Sequence, residues 1–297
     1  MARTRRPVPT RAVHTALTGS AMGLAELVPG FSAGTVAYVA GIYPQFLALL
    51  QAALNLPVGM LTGDAKRAFR AVNWRFGVTL ATAMFATVFI LAAPVRHLID
   101  TQPVFMSALF FGLVCGAVVA AVTQLATVTV KDSILVLAGG AAVFVVLGLG
   151  QSDTTNPPLW LMFVAGMIAI SAWILPGISG SFMLVVLGVY PVVVGAAADR
   201  DVAVLAVFAA GCVLGIALIV NALTRLFQAR EHQVRLVLIA VMLGSARVLW
   251  PFSTAFARTD LGLPDSAFDA VTALVIVVVA AAAVVWVAAR TPHDHPA

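Results

Sequence analysis

The chain has 297 residues, of which 62% are hydrophobic and only 10% charged, and its mean hydropathy is +1.05. A soluble domain carries roughly 25% charged residues, so composition excludes a water-soluble globular protein, and long continuous apolar runs exclude a barrel whose strands alternate with period two. The net charge of +5 falls in the stretches between apolar runs, as membrane topology requires, and not on a face that would bind nucleic acid.

The opening residues 1–11, MARTRRPVPTR, read as a basic cytoplasmic tail. The apolar run after them continues into a motif that recurs later in the chain, so it is expected to be a retained membrane segment and not a cleaved leader. Ten apolar segments follow in order. A first half, 12–150, holds segments 12–28, 33–54, 75–95, 103–128 and 133–150. The polar stretch QSDTTNPP, 151–158, forms an external joint. A second half, 159–290, holds 159–175, 179–198, 202–224, 234–251 and 269–289, and 291–297 is a second cytoplasmic tail. Segment 12–28 would make a helix of about 25 Å at ~1.5 Å per residue, short of a ~30 Å hydrocarbon core. The first two segments of each half, 12–54 and 159–198, are therefore expected to form helical hairpins that re-enter the membrane, each followed by three transmembrane helices. Two halves with odd numbers of crossings have opposite orientation, so the expected fold is all-α and polytopic, with two inverted-topology repeats. With the N-terminus inside, 13 of the 17 basic residues are cytoplasmic and only Arg96, Arg200 and Arg258 are external, which places both termini in the cytoplasm.

The duplication is visible in two ungapped stretches 147 residues apart, PGFSAGTVAYVAGIYP at 29–44 and PGISGSFMLVVLGVYP at 176–191. Pro29 and Pro176 remove a backbone donor and interrupt a helix, and Gly30 and Gly177 permit the turn. Ser32, Thr35, Ser179 and Ser181 can cap the helix that restarts, whose first amides carry partial positive charge and suit an anion such as phosphate. Gly34 and Gly180 permit close backbone approach. Broken helices at matched positions in two halves are the expected mark of a transport site.

Two charges lie inside apolar segments, and each costs at least ~2.5 kcal/mol at bilayer depth, so both invite a functional role. Arg247, in GSARVLWP (244–251), could grip a phosphate bidentately. Glu26 could take up a proton or pair with Arg247; its counterpart in the second copy is Trp173. Gly30-Phe31-Ser32-Ala33-Gly34 spells a G-x-S-x-G motif, yet that elbow needs a strand and a base, and none of His14, His97, His232, His293 and His295 lies well inside a segment. Cys115 and Cys212 sit in apolar runs and read as packing residues. Gln124, Asn221, Thr79 and Thr82 could line a path or bond between helices. No metal-ligand cluster or nucleotide-binding fingerprint is present in the sequence.

The blocks GLAELVPGFSAGT (23–35), PVFMSALFFGLV (103–114), LPGISGSFMLVVLGVYP (175–191) and GSARVLWP (244–251) resemble the bacterial polyprenyl-phosphate (undecaprenyl phosphate) transporter family. The resemblance implies a multi-pass protein of the bacterial cytoplasmic membrane that returns undecaprenyl phosphate from the outer to the inner leaflet for peptidoglycan and other envelope polymers. Two departures from the family pattern stand out: Ser32-Ala33-Gly34 in place of Ser-Gly-Gly, and Val248-Leu249-Trp250 where a further basic residue is usual. Residues and resemblance together lead to one expectation. The phosphate head is held by Arg247 and the helix starts near Ser32, Thr35, Ser179 and Ser181, with the tail in lipid. No cofactor is implied beyond a proton at Glu26, and the partners are the lipid and the membrane. A transporter or channel for a small anion would use the same helix-terminus physics. A membrane lipid phosphatase is disfavoured because the sequence offers no base or metal site.

Overall fold

The computed structural model describes residues 12–28, 30–125, 127–148, 157–254 and 260–290. Pro29, both tails, most of the joint at 151–156, and Arg258 lie outside the described residues. Among those described, every regular element is helical. Helix α1 (Ala12–Glu26) is followed by a break, the short α2 (Ala33–Val39), a second break and α3 (Tyr43–Leu61). A small surface helix, α4 (Ala65–Ala71), leads into α5 (Trp74–Thr101), α6 (Pro103–Thr123) and α7 (Val130–Gly148). Then α8 (Leu159–Ile174), α9 (Gly180–Val186) and α10 (Tyr190–Asp199) repeat the broken pattern, and α11 (Val202–Ser245) and α12 (Ala267–Arg290) complete the chain.

Local sequence accounts for these boundaries. Asn73 starts α5 by accepting from the Phe76 amide at 3.2 Å, and Asp201 starts α11 by accepting from Ala203 and Val204 at 3.0 and 3.1 Å. The segments expected at 33–54 and 179–198 are each broken once more, at 40–42 and 187–189. Both breaks are Schellman closures. Ile42 N–H donates to Ala37 O and Gly41 N–H to Tyr38 O; 147 residues on, Val189 donates to Leu184 and Gly188 to Val185. Gly41 and Gly188 have φ of 71° and 70°, and Pro44 and Pro191 then stand in the first turn of the next helix. The bend between α9 and α10 is 111°.

A straight helix of 44 residues would be about 66 Å long, twice a bilayer core. Arg230, at φ −149° and ψ 52°, divides α11 into two pieces, which correspond to the expected segments 202–224 and 234–251. The gap expected between them is helical except at that residue. Six helices among the described residues are long and apolar enough to span a membrane, or up to seven if the bent α9–α10 pair counts as one. Together they make this a multi-pass membrane protein. Large apolar side chains such as Phe89, 82% exposed, and Leu137, 63% exposed, face outward where lipid replaces water.

Small residues hold the helices together. A β-carbon at Gly23 of α1 would overlap the Met84 carbonyl of α5, and one at Gly211 of α11 would overlap the Phe163 carbonyl of α8. Gly112 and Gly116 of α6 allow the same close approach to α12, at Val277 and Ala281. Between helices surrounded by lipid there is no hydrophobic drive to associate, so close backbone packing of this kind carries the contact.

Candidate functional site

The two Pro-Gly breaks touch each other in the interior. At the end of α8 the carbonyls of Ile174 and Leu175 have no helical partner left. The Tyr43 hydroxyl donates to Ile174 O at 3.1 Å and the Ser32 hydroxyl to Leu175 O at 3.2 Å. In return the Gly177 amide donates to Thr35 Oγ1 at 2.8 Å. The hydroxyls of the first copy therefore satisfy the backbone of the second. Ser32, Thr35 and Tyr43 are all buried, so each bond replaces one that water cannot make. Gly34 sits at this contact: a β-carbon there would lie 2.7 Å from Ile174 O. Gly180 likewise abuts Ala169 O, at 2.6 Å. The close approach that these glycines permit is to protein backbone.

Thr35→Val would keep the shape of the side chain and leave the Gly177 amide buried without a partner, a cost of about 1–3 kcal/mol. The expected outcome is a lowered thermal midpoint in detergent with the elution profile preserved. A midpoint equal to the parent would mean that this bond contributes nothing to stability.

The starts of α2 and α9 differ. At α2, Ser32 is the N-cap and accepts from the Gly34 amide at 3.1 Å, and the Ala33 amide donates to Glu26 Oε1 at 3.4 Å. A carboxylate of the protein thus occupies the positive end of α2. The side chain of Trp173 also hydrogen-bonds to Glu26, and Trp173 packs edge-on against Phe46 at 5.7 Å. Sequence comparison of the halves marks Trp173 as the counterpart of Glu26 but does not reveal that the two meet. At α9, Ser179 makes no side-chain cap, and its hydroxyl instead pairs with that of Ser181 at 2.9 Å.

Arg247 lies in a 3-10 turn, Ala246–Leu249, at the end of α11. Its Nη1 donates to Phe144 O at 3.3 Å, and the guanidinium stacks 4.6 Å above the Phe144 ring on α7. Glu26 has Ala33 and Trp173 as partners. The neighbouring Val248 connects this turn to both breaks. It packs with Phe182 of α9 and Leu147 in one buried cluster, and a β-carbon at Gly30 would lie 2.7 Å from Val248 Cγ1. Gly30 and Gly177 have φ of 91° and 97°, so the turn that needs glycine is formed at both breaks. Pro176 is buried within the second.

Of the other polar residues, Asn221 accepts from Gln51 Nε2 at 3.2 Å and donates to Ala217 O at 2.8 Å, an interhelical bond. His232 pairs with Asp132 at 3.2 Å, away from Ser32. Cys115 and Cys212 are free thiols, and no group of three or more metal-ligating side chains occurs among the described residues.

A family model described as undecaprenyl phosphate translocase-like matches residues 22–261, which include both breaks and the Arg247 turn. The chain belongs to that family. A polyprenyl-phosphate transporter of Vibrio cholerae is 33% identical to this family member over 243 residues, 81% of the chain and 78% of the relative. One of Staphylococcus aureus is 29% identical over 181 residues, 57% of the chain and 60% of the relative. No solved structure matches.

Proposed function

We propose that this chain is a transporter that moves polyprenyl phosphate, undecaprenyl phosphate in particular, from the outer to the inner leaflet of the bacterial cytoplasmic membrane. It is read as a carrier and not an enzyme, with both termini in the cytoplasm. The observation that carries the reading is the convergence of both Pro-Gly breaks and the Arg247 turn around Val248. Relatives named polyprenyl-phosphate transporters support the substrate class.

In the proposed arrangement the two halves are inverted repeats. Each opens with a re-entrant hairpin, 12–54 and 159–198, broken at Pro29 and Pro176. The shared Schellman closures and the mutual contact of the breaks support it. The phosphate is taken by Arg247, by the hydroxyls of Ser179 and Ser181 and by the backbone around Gly177 and Gly180. Ser32, Thr35, Gly30 and Gly34 form the other wall. A dianionic head held against that wall and the Glu26 carboxylate at the start of α2 repel one another, so protonating Glu26 would favour binding of the head. The tail remains in lipid throughout. Transport of this kind needs no cofactor.

The test is a leaflet-sidedness assay with a polyprenyl phosphate in proteoliposomes. Protein is expected to speed inward movement, and an imposed pH difference to change its rate. Glu26→Gln keeps the shape and loses the titration, so its rate should ignore the pH difference. Lipid movement equal to that of protein-free vesicles would sink the transport reading. A pH response retained by Glu26→Gln would remove only the proton role.

A further inference from the structure

We propose that Phe144 and Gly148 are positioning residues for phosphate recognition: the last turn of α7 is a seat that fixes the plane of the Arg247 guanidinium, so that its fork, and not merely its charge, meets the lipid head. The inference rests on the transport reading above. The seat follows from how α7 packs on the second half of α11. A β-carbon at Gly244 of α11 would overlap the Gly140 carbonyl of α7, so the two backbones meet there with nothing between them. One turn further along each chain stand Phe144 and Arg247, on the faces that Gly140 and Gly244 bring together. The half-buried Arg247 side chain therefore lies against α7.

Three contacts define the seat. The guanidinium stacks 4.6 Å above the Phe144 ring, Nη1 donates to Phe144 O at 3.3 Å, and the head of the side chain rests on Gly148, one turn on. A β-carbon at Gly148 would overlap Arg247 Cζ and lie 2.5 Å from Nη2 and 2.6 Å from Nη1. Its three nearest atoms all belong to the guanidinium. That sets Gly148 apart from Gly23 and Gly211, where a methyl would press on the backbone of a neighbouring helix. Gly148 is helical, and alanine is the better helix former, so the backbone itself does not call for glycine here. What calls for it is the guanidinium. Arginine grips a phosphate through two parallel N–H···O bonds only when its plane faces the oxygens. A ring stacked on that plane and a bare Cα beneath its end settle the orientation before the head arrives. Leu147, on the same turn, packs with Val248 and with Phe182 of α9, which ties the seat to the second break.

The test uses purified full-length protein, first in detergent and then in proteoliposomes. In detergent, modification of Arg247 by phenylglyoxal is read by mass spectrometry of its peptide. Gly148→Ala and Phe144→Leu should speed it at least about threefold, because each disturbs the stack and the hydrogen bond that hold the guanidinium. Phe144→Tyr keeps the ring and should match the parent. The thermal midpoint of Gly148→Ala should stay at or above the parent's, which a glycine needed for helix packing would not allow. In the leaflet assay Gly148→Ala should raise the apparent KM for polyprenyl phosphate about fivefold or more with the maximal rate retained, the sign of binding lost equally from the resting and crossing states. In an Arg247→Lys background, with no fork to orient, the same substitution should leave KM unchanged. A KM equal to the parent's, or the same rise in both backgrounds, overturns the positioning role. If Gly148→Ala folds poorly, the Phe144 variants decide: a KM raised by leucine and restored by tyrosine supports the seat, and equal values overturn it. Parent protein that moves lipid no faster than empty vesicles removes the transport reading, and the Arg247 modification rates then still decide whether α7 holds the guanidinium.

Discussion

Gly177→Ala is expected to leave little folded protein. At φ 97° an L side chain costs roughly 1–2 kcal/mol, and the new methyl would meet Met242 Cα at 2.7 Å and its N at 2.8 Å. Those are backbone atoms of a packed helix and cannot swing aside, so overpacking costs about 1–3 kcal/mol more. Against a total stability of about 5–15 kcal/mol that loss is large. The measurement is the thermal midpoint and the monodisperse fraction in detergent. Gly63→Ala provides the comparison, because Gly63 also has positive φ, 81°, but open space around it. If both variants fell equally, contact with Met242 would be irrelevant and only the turn would matter.

The second large effect is expected from Arg247→Ala in the leaflet assay. A charge-assisted hydrogen bond is worth about 1.5–3 kcal/mol, so inward movement should slow by about tenfold or more. Ser179→Ala removes one neutral hydroxyl from the Ser179–Ser181 pair and should slow it by only a few-fold, consistent with about 1 kcal/mol. The order of the two effects is the informative result. A stronger loss from Ser179 than from Arg247 would shift the phosphate away from the guanidinium. Loss of the Arg247 stack on Phe144 could also loosen α7, so Arg247→Lys serves as a second variant, retaining charge while losing the fork.

Much of the fold was legible because membrane helices are long, apolar and bounded by polar residues. The spans α5, α6, α7 and α12 fall where the apolar runs place them. The extra break at Gly41 and Gly188 was also written in the sequence, as a glycine followed by Tyr-Pro at matched positions, but within an unbroken apolar run it is overridden by hydropathy. Helix α4 escaped notice because residues 65–71 are charged and exposed, a surface piece with no buried face to give it a period. At the site, the residue types pointed to paired helix breaks, and the two breaks are in mutual contact. Partnership did not follow from residue type. A serine or threonine near a break can face a ligand or an opposing carbonyl, and only tertiary contact decides that Thr35 faces Gly177 and Ser32 faces Leu175. The meeting of Glu26 with Trp173 spans 147 residues, and it depends on how the halves dock.

That last contact joins matched positions of the two copies. In an assembly of two identical subunits related by a two-fold axis, such a position faces itself. An acid there would confront a second acid a few ångströms away, and two carboxylates so close in an apolar interior cannot both be ionised. Covalent joining of the halves frees the two positions to differ. One keeps a carboxylate, and the other supplies an indole that donates to it. Under the proposed architecture, a lone acid on the axis is a property that a pair of identical halves lacks: an acid at that position in such a dimer would be one of two carboxyl groups sharing a proton.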